Sequence, residues 1–141
     1  MTPAPAPIPT PETREFWAGT AQRELRIQRC RTCERPYFHP RPFCPNPDCS
    51  SDDVEWFVTA GRANLVSYVI NYRPLSVFDT NEPQIIAIVQ LEEGPRMLTN
   101  ILGVAPHPDQ LPLGMKLKVD YVARGDQWLP VFRPLQQGVA Q

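Results

Sequence analysis

Histidine and lysine are scarce in this 141-residue chain: His39 and His107 are the only histidines, Lys116 and Lys118 the only lysines. With two candidate bases, one of them wedged between Pro106 and Pro108 in a loop, a cysteine- or serine-nucleophile centre has little to work with. There is no G-x-S-x-G, no glycine-rich phosphate loop and no H-E-x-x-H. These absences point to a binding or scaffolding subunit rather than a self-sufficient enzyme. No apolar run approaches the length of a membrane span, and the first residues lack the basic-then-apolar layout of a signal peptide. A cytoplasmic, reducing environment without a membrane partner is therefore expected. A net charge of −1 and a pI near 6.1 disfavour a general nucleic-acid binder.

Cysteine is also sparse, but its placement is informative. All four, Cys30, Cys33, Cys44 and Cys49, fall within twenty residues as a C-x2-C pair and a C-x4-C pair. Two short-spaced pairs suit a tetrahedral zinc site, each pair turning two thiolates onto one ion. In a reducing compartment this outweighs disulfides or free thiols. A rubredoxin-like iron site uses similar geometry and would make the chain an electron carrier, red when purified. His39 is an alternative fourth ligand. So small a ribbon needs metal ligation to supply much of its folding free energy.

Arginine clusters beside the cysteines. Arg23, Arg26, Arg29, Arg31, Arg35 and Arg41 face only Glu24 and Glu34 in the same stretch. Guanidinium forks bind phosphate and stack on flat rings, as a nucleotide-bearing ligand such as coenzyme A requires; a solvated face is the alternative.

Along the chain, residues 1–9 alternate with proline and are expected to form an extended tail, either a free arm or a strap along a partner. Thr10-Pro11-Glu12 predicts a helix start within 10–22, carrying Phe16 and Trp17 and meeting Gly19, which ends or bends it. A zinc ribbon follows over 23–57: a strand at 24–29, a return at 36–40, and the first knuckle at the hairpin tip. Strands are predicted at 55–59, 64–72, 84–92, 96–102, 116–124 and 128–133, with turns at Glu93-Gly94-Pro95 and Gly125-Asp126. Such a strand count without a helix fits a five-stranded OB barrel over 58–135, followed by a frayed tail at 136–141. The connection 73–83 carries Leu75, Val77 and Phe78, a contact surface unless it folds back onto the barrel. A single-strand nucleic-acid module is the main competing reading; Tyr68 and Tyr72 would supply stacking rings, but the barrel half has few cations.

The order Phe16-Trp17-x-Gly19, Cys30-x2-Cys33, Pro40-Arg41-x2-Cys44-Pro45, Glu55-Trp56, Gly61, Pro83, Leu91-x2-Gly94, Thr99-Asn100, Gly114 and Phe132-Arg133-Pro134 resembles the zinc-ribbon and OB-fold family catalogued as domain of unknown function thirty-five. The resemblance covers nearly the whole chain after the proline tail. It implies a mainly β protein with an N-terminal helix, a rubredoxin-like zinc ribbon and a C-terminal five-stranded OB-fold barrel. It also implies an accessory subunit that associates with thiolase-superfamily enzymes, among them lipid-transfer-type steroid side-chain aldolases, while the partner holds the catalytic residues. Carried over by motif, Cys30, Cys33, Cys44 and Cys49 match the zinc ligands. Arg35, Arg41 and Phe43 are the expected acyl-CoA contacts, and Phe16, Trp17 and Phe78 the expected partner contacts. Glu34 stands where the family places glycine after the first pair, and the second pair is longer than usual.

Overall fold

The computed structural model describes residues 5–78 and 80–135. The predicted tail at 136–141 and the first four residues of the predicted arm lie outside them. Of the arm's remainder, the Pro5 carbonyl accepts a 3.4 Å hydrogen bond from Arg124, and Ala6 lies against Gly125. This part of the arm thus rests on its own chain.

Thr10 and Thr13 cap each other, each backbone N–H donating to the other's hydroxyl at 2.9 and 3.3 Å. That satisfies donors a helix start leaves open. The regular helix α1 (Arg14–Ala21) begins one turn later than Thr10. Gly19 does not end it but lies buried inside it. A Cβ there would stand 2.7 Å from the Arg26 side chain and 2.9 Å from the Glu24 carbonyl, so glycine is what permits the close approach. The chain reverses after Ala21 through Arg23, which takes a positive φ of 61°.

Strands β1 (Arg26–Cys30), β2 (Pro36–Tyr37) and β3 (Val54–Val58) form an antiparallel sheet in the order β2-β1-β3. The β1–β2 hairpin carries Cys30 and Cys33, as predicted. The second sheet runs β6-β5-β4-β7-β8 and contains β4 (Arg62–Asn71), β5 (Gln84–Leu91), β6 (Arg96–Asn100), β7 (Lys116–Arg124) and β8 (Gln127–Pro134). The predicted strand at 55–59 is thus β3 of the ribbon, and the five that follow make the barrel. A register shift between Leu65 and Ser67 bends β4, which needs curvature to serve both β5 and β7. Gly125, at φ 60°, supplies the left-handed residue of a two-residue β7–β8 turn.

The barrel is nearly closed. β6 and β8 meet through a single parallel bridge, Ile101 with Phe132. The Leu102 N–H donates to the Phe132 carbonyl at 2.9 Å, and the Thr99 hydroxyl to the Pro130 carbonyl at 3.1 Å. One apolar core spans both sheets: Phe16, Leu25 and Ile27 pack with Leu65, Val89, Leu117 and Phe132. No helix is long and apolar enough to cross a membrane among the described residues.

Candidate metal centre and contact surface

The four cysteines converge. Their sulfurs lie within 4.8 Å of one another, with Cys30–Cys49 at 3.7 Å and Cys33–Cys44 at 3.6 Å. A tetrahedron with metal–sulfur bonds of about 2.3 Å has sulfur–sulfur edges of about 3.8 Å. A disulfide would need about 2.05 Å. The thiols therefore fit one metal ion and are unbridged. Cys30 and Cys44 are buried, Cys33 and Cys49 half-buried, and both of these short contacts join one knuckle to the other.

Local hydrogen bonds shape both knuckles. The Cys30 N–H donates to the Arg35 carbonyl, and the Cys33 N–H points at the Cys30 sulfur at 3.4 Å. In the longer second pair, the Asn46 carbonyl accepts from both Cys49 and Ser50, and its side-chain oxygen accepts from Asp48. The extra residues thus form a compact turn rather than a displaced ligand. Thr32 and Ser51 tie the knuckles together at 2.9 Å.

The thiols are not electrostatically equal. The Cys33 N–H holds Cys30 down to about 6, whereas burial pushes Cys44 up to about 11. A divalent ion removes this asymmetry by making all four thiolates. The cluster contains no histidine: His39 is exposed, its ring edge-on to Phe38.

The arginine excess is largely neutralised in space. Arg29 and Arg31 both grip Glu55, Arg26 binds Glu24 and Glu15, and Arg23 reaches Asp120. Arg29, and then Arg31, hold the Glu55 carboxyl below its ordinary pKa. Arg35 and Arg41 have no carboxylate partner among the described residues and are exposed. Arg41 borders a groove with Pro11, Glu12, Gln28, Pro42 and Trp56, and its N–H donates to Gln28 Oε1 at 2.8 Å. Phe43 is 57% exposed. Neither it nor Arg35 lines that groove. Trp56, which the sequence offered only as a family marker, does line it.

Phe16 corrects the expectation of a partner contact: only 6% exposed, it packs edge-on against Trp17 and Phe38 inside the chain. Trp17 is half-buried. Phe78 is also half-buried, with the Arg124 guanidinium 5.6 Å from its ring, so this end of the 73–83 loop folds back onto the barrel. Leu75 stays 68% exposed. A second apolar surface went unpredicted. On the outer face of β4–β6, Ile88 pairs with Leu98 and Ile86 stands opposite Val69, all four pointing away from the core. Outward sheet positions are normally polar, but residues 85–89 are an unbroken apolar run without alternation, so the sequence did not distinguish the outward face.

Comparison with known proteins places the geometry. Residues 17–55 match the rubredoxin-like zinc ribbon domain of ChsH2, and residues 56–122 match the ChsH2 C-terminal OB-fold domain. The chain is 38% identical over 122 residues to the probable enoyl-CoA hydratase alpha subunit of Thermomonospora curvata, covering 84% of this chain and 36% of that protein. It is 32% identical over 131 residues to the 3-oxo-4,17-pregnadiene-20-carboxyl-CoA hydratase alpha subunit of Mycobacterium tuberculosis, covering 91% and 39%. The chain thus spans little more than a third of the length of these two relatives. In the solved structure of the Ltp2-ChsH2(DUF35) aldolase, a chain 33% identical superposes with a TM-score of 0.79, covering 92% of this chain and 98% of that one. With ribbon and barrel matched in order along one chain, this protein belongs to the ChsH2-type, DUF35 family of zinc-ribbon and OB-fold proteins.

Proposed function

We propose that this chain is a zinc-braced accessory subunit that docks a thiolase-like enzyme and helps hold its acyl-CoA substrate for retro-aldol cleavage of a steroid or other bulky acyl group. The observation that carries the reading is the end-to-end match to a chain of the Ltp2-ChsH2(DUF35) aldolase. The four-thiol cluster supports zinc as a structural ion, since all four ligand positions are taken and none is left for substrate. Exposed Val69, Ile88 and Leu98 offer apolar area for the enzyme partner, as do Trp17 and the rim of the 73–83 loop. A groove that brings exposed Arg41 beside Trp56 and Gln28 supports the reading of Arg41 as a phosphate contact, and Arg35 and Phe43 are also exposed on the ribbon. Bond cleavage belongs to the partner.

The test is co-purification of the tagged chain with the thiolase-like proteins of its host, zinc analysis of the eluate, and calorimetry with a CoA thioester. One zinc per chain, a stable hetero-complex and thioester binding by that complex are expected. A chain that elutes alone from every candidate and leaves thioester affinity unchanged removes the proposal.

A further inference from the structure

A cavity of about 620 Å³ opens beside the seam where β6 and β8 approach. The sequence explains why the seam stays open. The Pro130 carbonyl faces β6 and accepts from Thr99, but proline has no N–H with which to continue a ladder. The walls therefore part next to the bridge at Ile101 and Phe132. Ile85, Ile101 and Val131, each almost fully buried, form the deep part, and Val122 and Leu129 continue the aliphatic lining outward.

Among the described residues the lining includes one cation, Arg124. Its guanidinium lies over the Phe78 ring and donates to the Pro5 carbonyl at 3.4 Å. Both contacts position the group, and neither neutralises it. Glu82 shares the rim but is exposed, where solvent screens it. A half-enclosed cavity of this volume, aliphatic in depth with one oriented cation, has the make-up of a small-molecule site.

We propose that this barrel-end cavity binds a small amphipathic carboxylate, its aliphatic body among Ile85, Ile101, Val122, Leu129 and Val131 and its acid group on Arg124. A phosphate-rich ligand would find too few donors. An added peptide strand would find Pro130 on the edge it needs. The cavity lies on the barrel, away from the groove that contains Arg41, and shares no lining residue with it, so the proposal stands whether or not a thiolase-like enzyme docks.

The zinc-loaded full chain, titrated with decanoate below its micelle concentration and separately with decanol, provides the test. Calorimetry gives affinity and methyl NMR gives location. Decanoate is expected to bind more tightly than decanol and to shift the Ile85, Ile101, Val122, Leu129 and Val131 methyls. Arg124→Gln should weaken decanoate about tenfold or more, the loss of a charge-assisted contact, and leave decanol unchanged. Because this variant also releases the Pro5 contact, Val122→Phe serves as the second arm: a ring placed in the aliphatic lining should weaken both ligands by similar factors while the folded chain retains its zinc. No decanoate binding, equal losses for both ligands in Arg124→Gln, or shifts confined to Val69, Ile88 and Leu98 would each overturn the proposal.

Discussion

Glu34 and Ser50 each follow the second cysteine of a pair, and both adopt left-handed backbone, φ 66° and 54°. The knuckle geometry imposes this turn, and neither residue has glycine's freedom to take it. For an L-residue the conformation costs about 1–2 kcal/mol, part of which glycine returns through its own unfolded-state entropy. Glu34→Gly is therefore expected to stabilise the zinc-loaded chain by about 0.5–1 kcal/mol, read as a higher urea midpoint with an unchanged slope. A lower midpoint would mean that the Glu34 side chain, exposed in the fold, is worth more than the strain. The same scale shows what the sequence could not reveal. Four cysteines at short spacing point to a shared ion because local turns suffice to gather them. The fate of the arginines depended on Glu55, which lies 26 residues from Arg29 and 24 from Arg31 and reaches them only through β1–β3 pairing. Phe16 misled for a related reason: an aromatic on a short helix is indifferent to inside and outside until the opposing Phe38 is known.

At the scale of elements, the C-terminal half of α1 is held by a contact that a helix prediction would miss. Gly19 reads in the sequence as an end or a bend of the helix because glycine is a poor helix former, yet packing against Arg26 and Glu24 is what selects it. Gly19→Ala gains about 1 kcal/mol of helix propensity. It must then displace a backbone carbonyl 2.9 Å away, and overpacking costs typically about 1–3 kcal/mol. A net loss in thermal stability is expected; a rise would show that the β1 approach is loose. Past the helix, Asp120 on β7 binds Arg133 at 2.7 Å and Arg23 at 3.4 Å, joining the helix exit to the barrel. Arg133 and the Tyr121 N–H hold the Asp120 carboxyl below its ordinary pKa. The folded chain therefore releases this proton more readily than the unfolded chain. The resulting stability is present above the unfolded value, about 3.9, and is lost as pH falls through the lower folded value. Both partners are substantially exposed, so about 0.5 kcal/mol is at stake. Subtracting the Asp120→Asn stability profile from that of wild type should give a small gap at pH 7 that closes toward pH 2. A gap constant over that range would mean the pair is not the source.

For the whole molecule, the question is whether ribbon and barrel stand or fall together. Their boundary is plain in the sequence, where cysteine and arginine give way to alternating strand residues, and the two family matches divide near it. The core ignores that boundary. Leu25 and Ile27, about 1% and 0% exposed, belong to the cysteine side of the chain yet pack with the barrel residues Leu65, Val89 and Phe132. Thr59 fastens the joint, donating through both its N–H and its hydroxyl to the Leu25 carbonyl at 2.9 Å. Metal bound at Cys30 therefore steadies the strand whose side chains complete the barrel's core. Losing a buried leucine or isoleucine side chain costs about 2–5 kcal/mol, a large share of a small domain's stability. Chelating the zinc should thus lower the stability of both parts at once. Variants that keep only Trp56, on β3, or only Trp128, on β8, report the two sides separately in urea. Their midpoints should coincide with zinc bound and fall together when a chelator removes it. A Trp128 midpoint that stays in place while Trp56 melts would show a barrel that folds alone, and the ribbon would then be a tethered module rather than a fixed part of the surface offered to a partner.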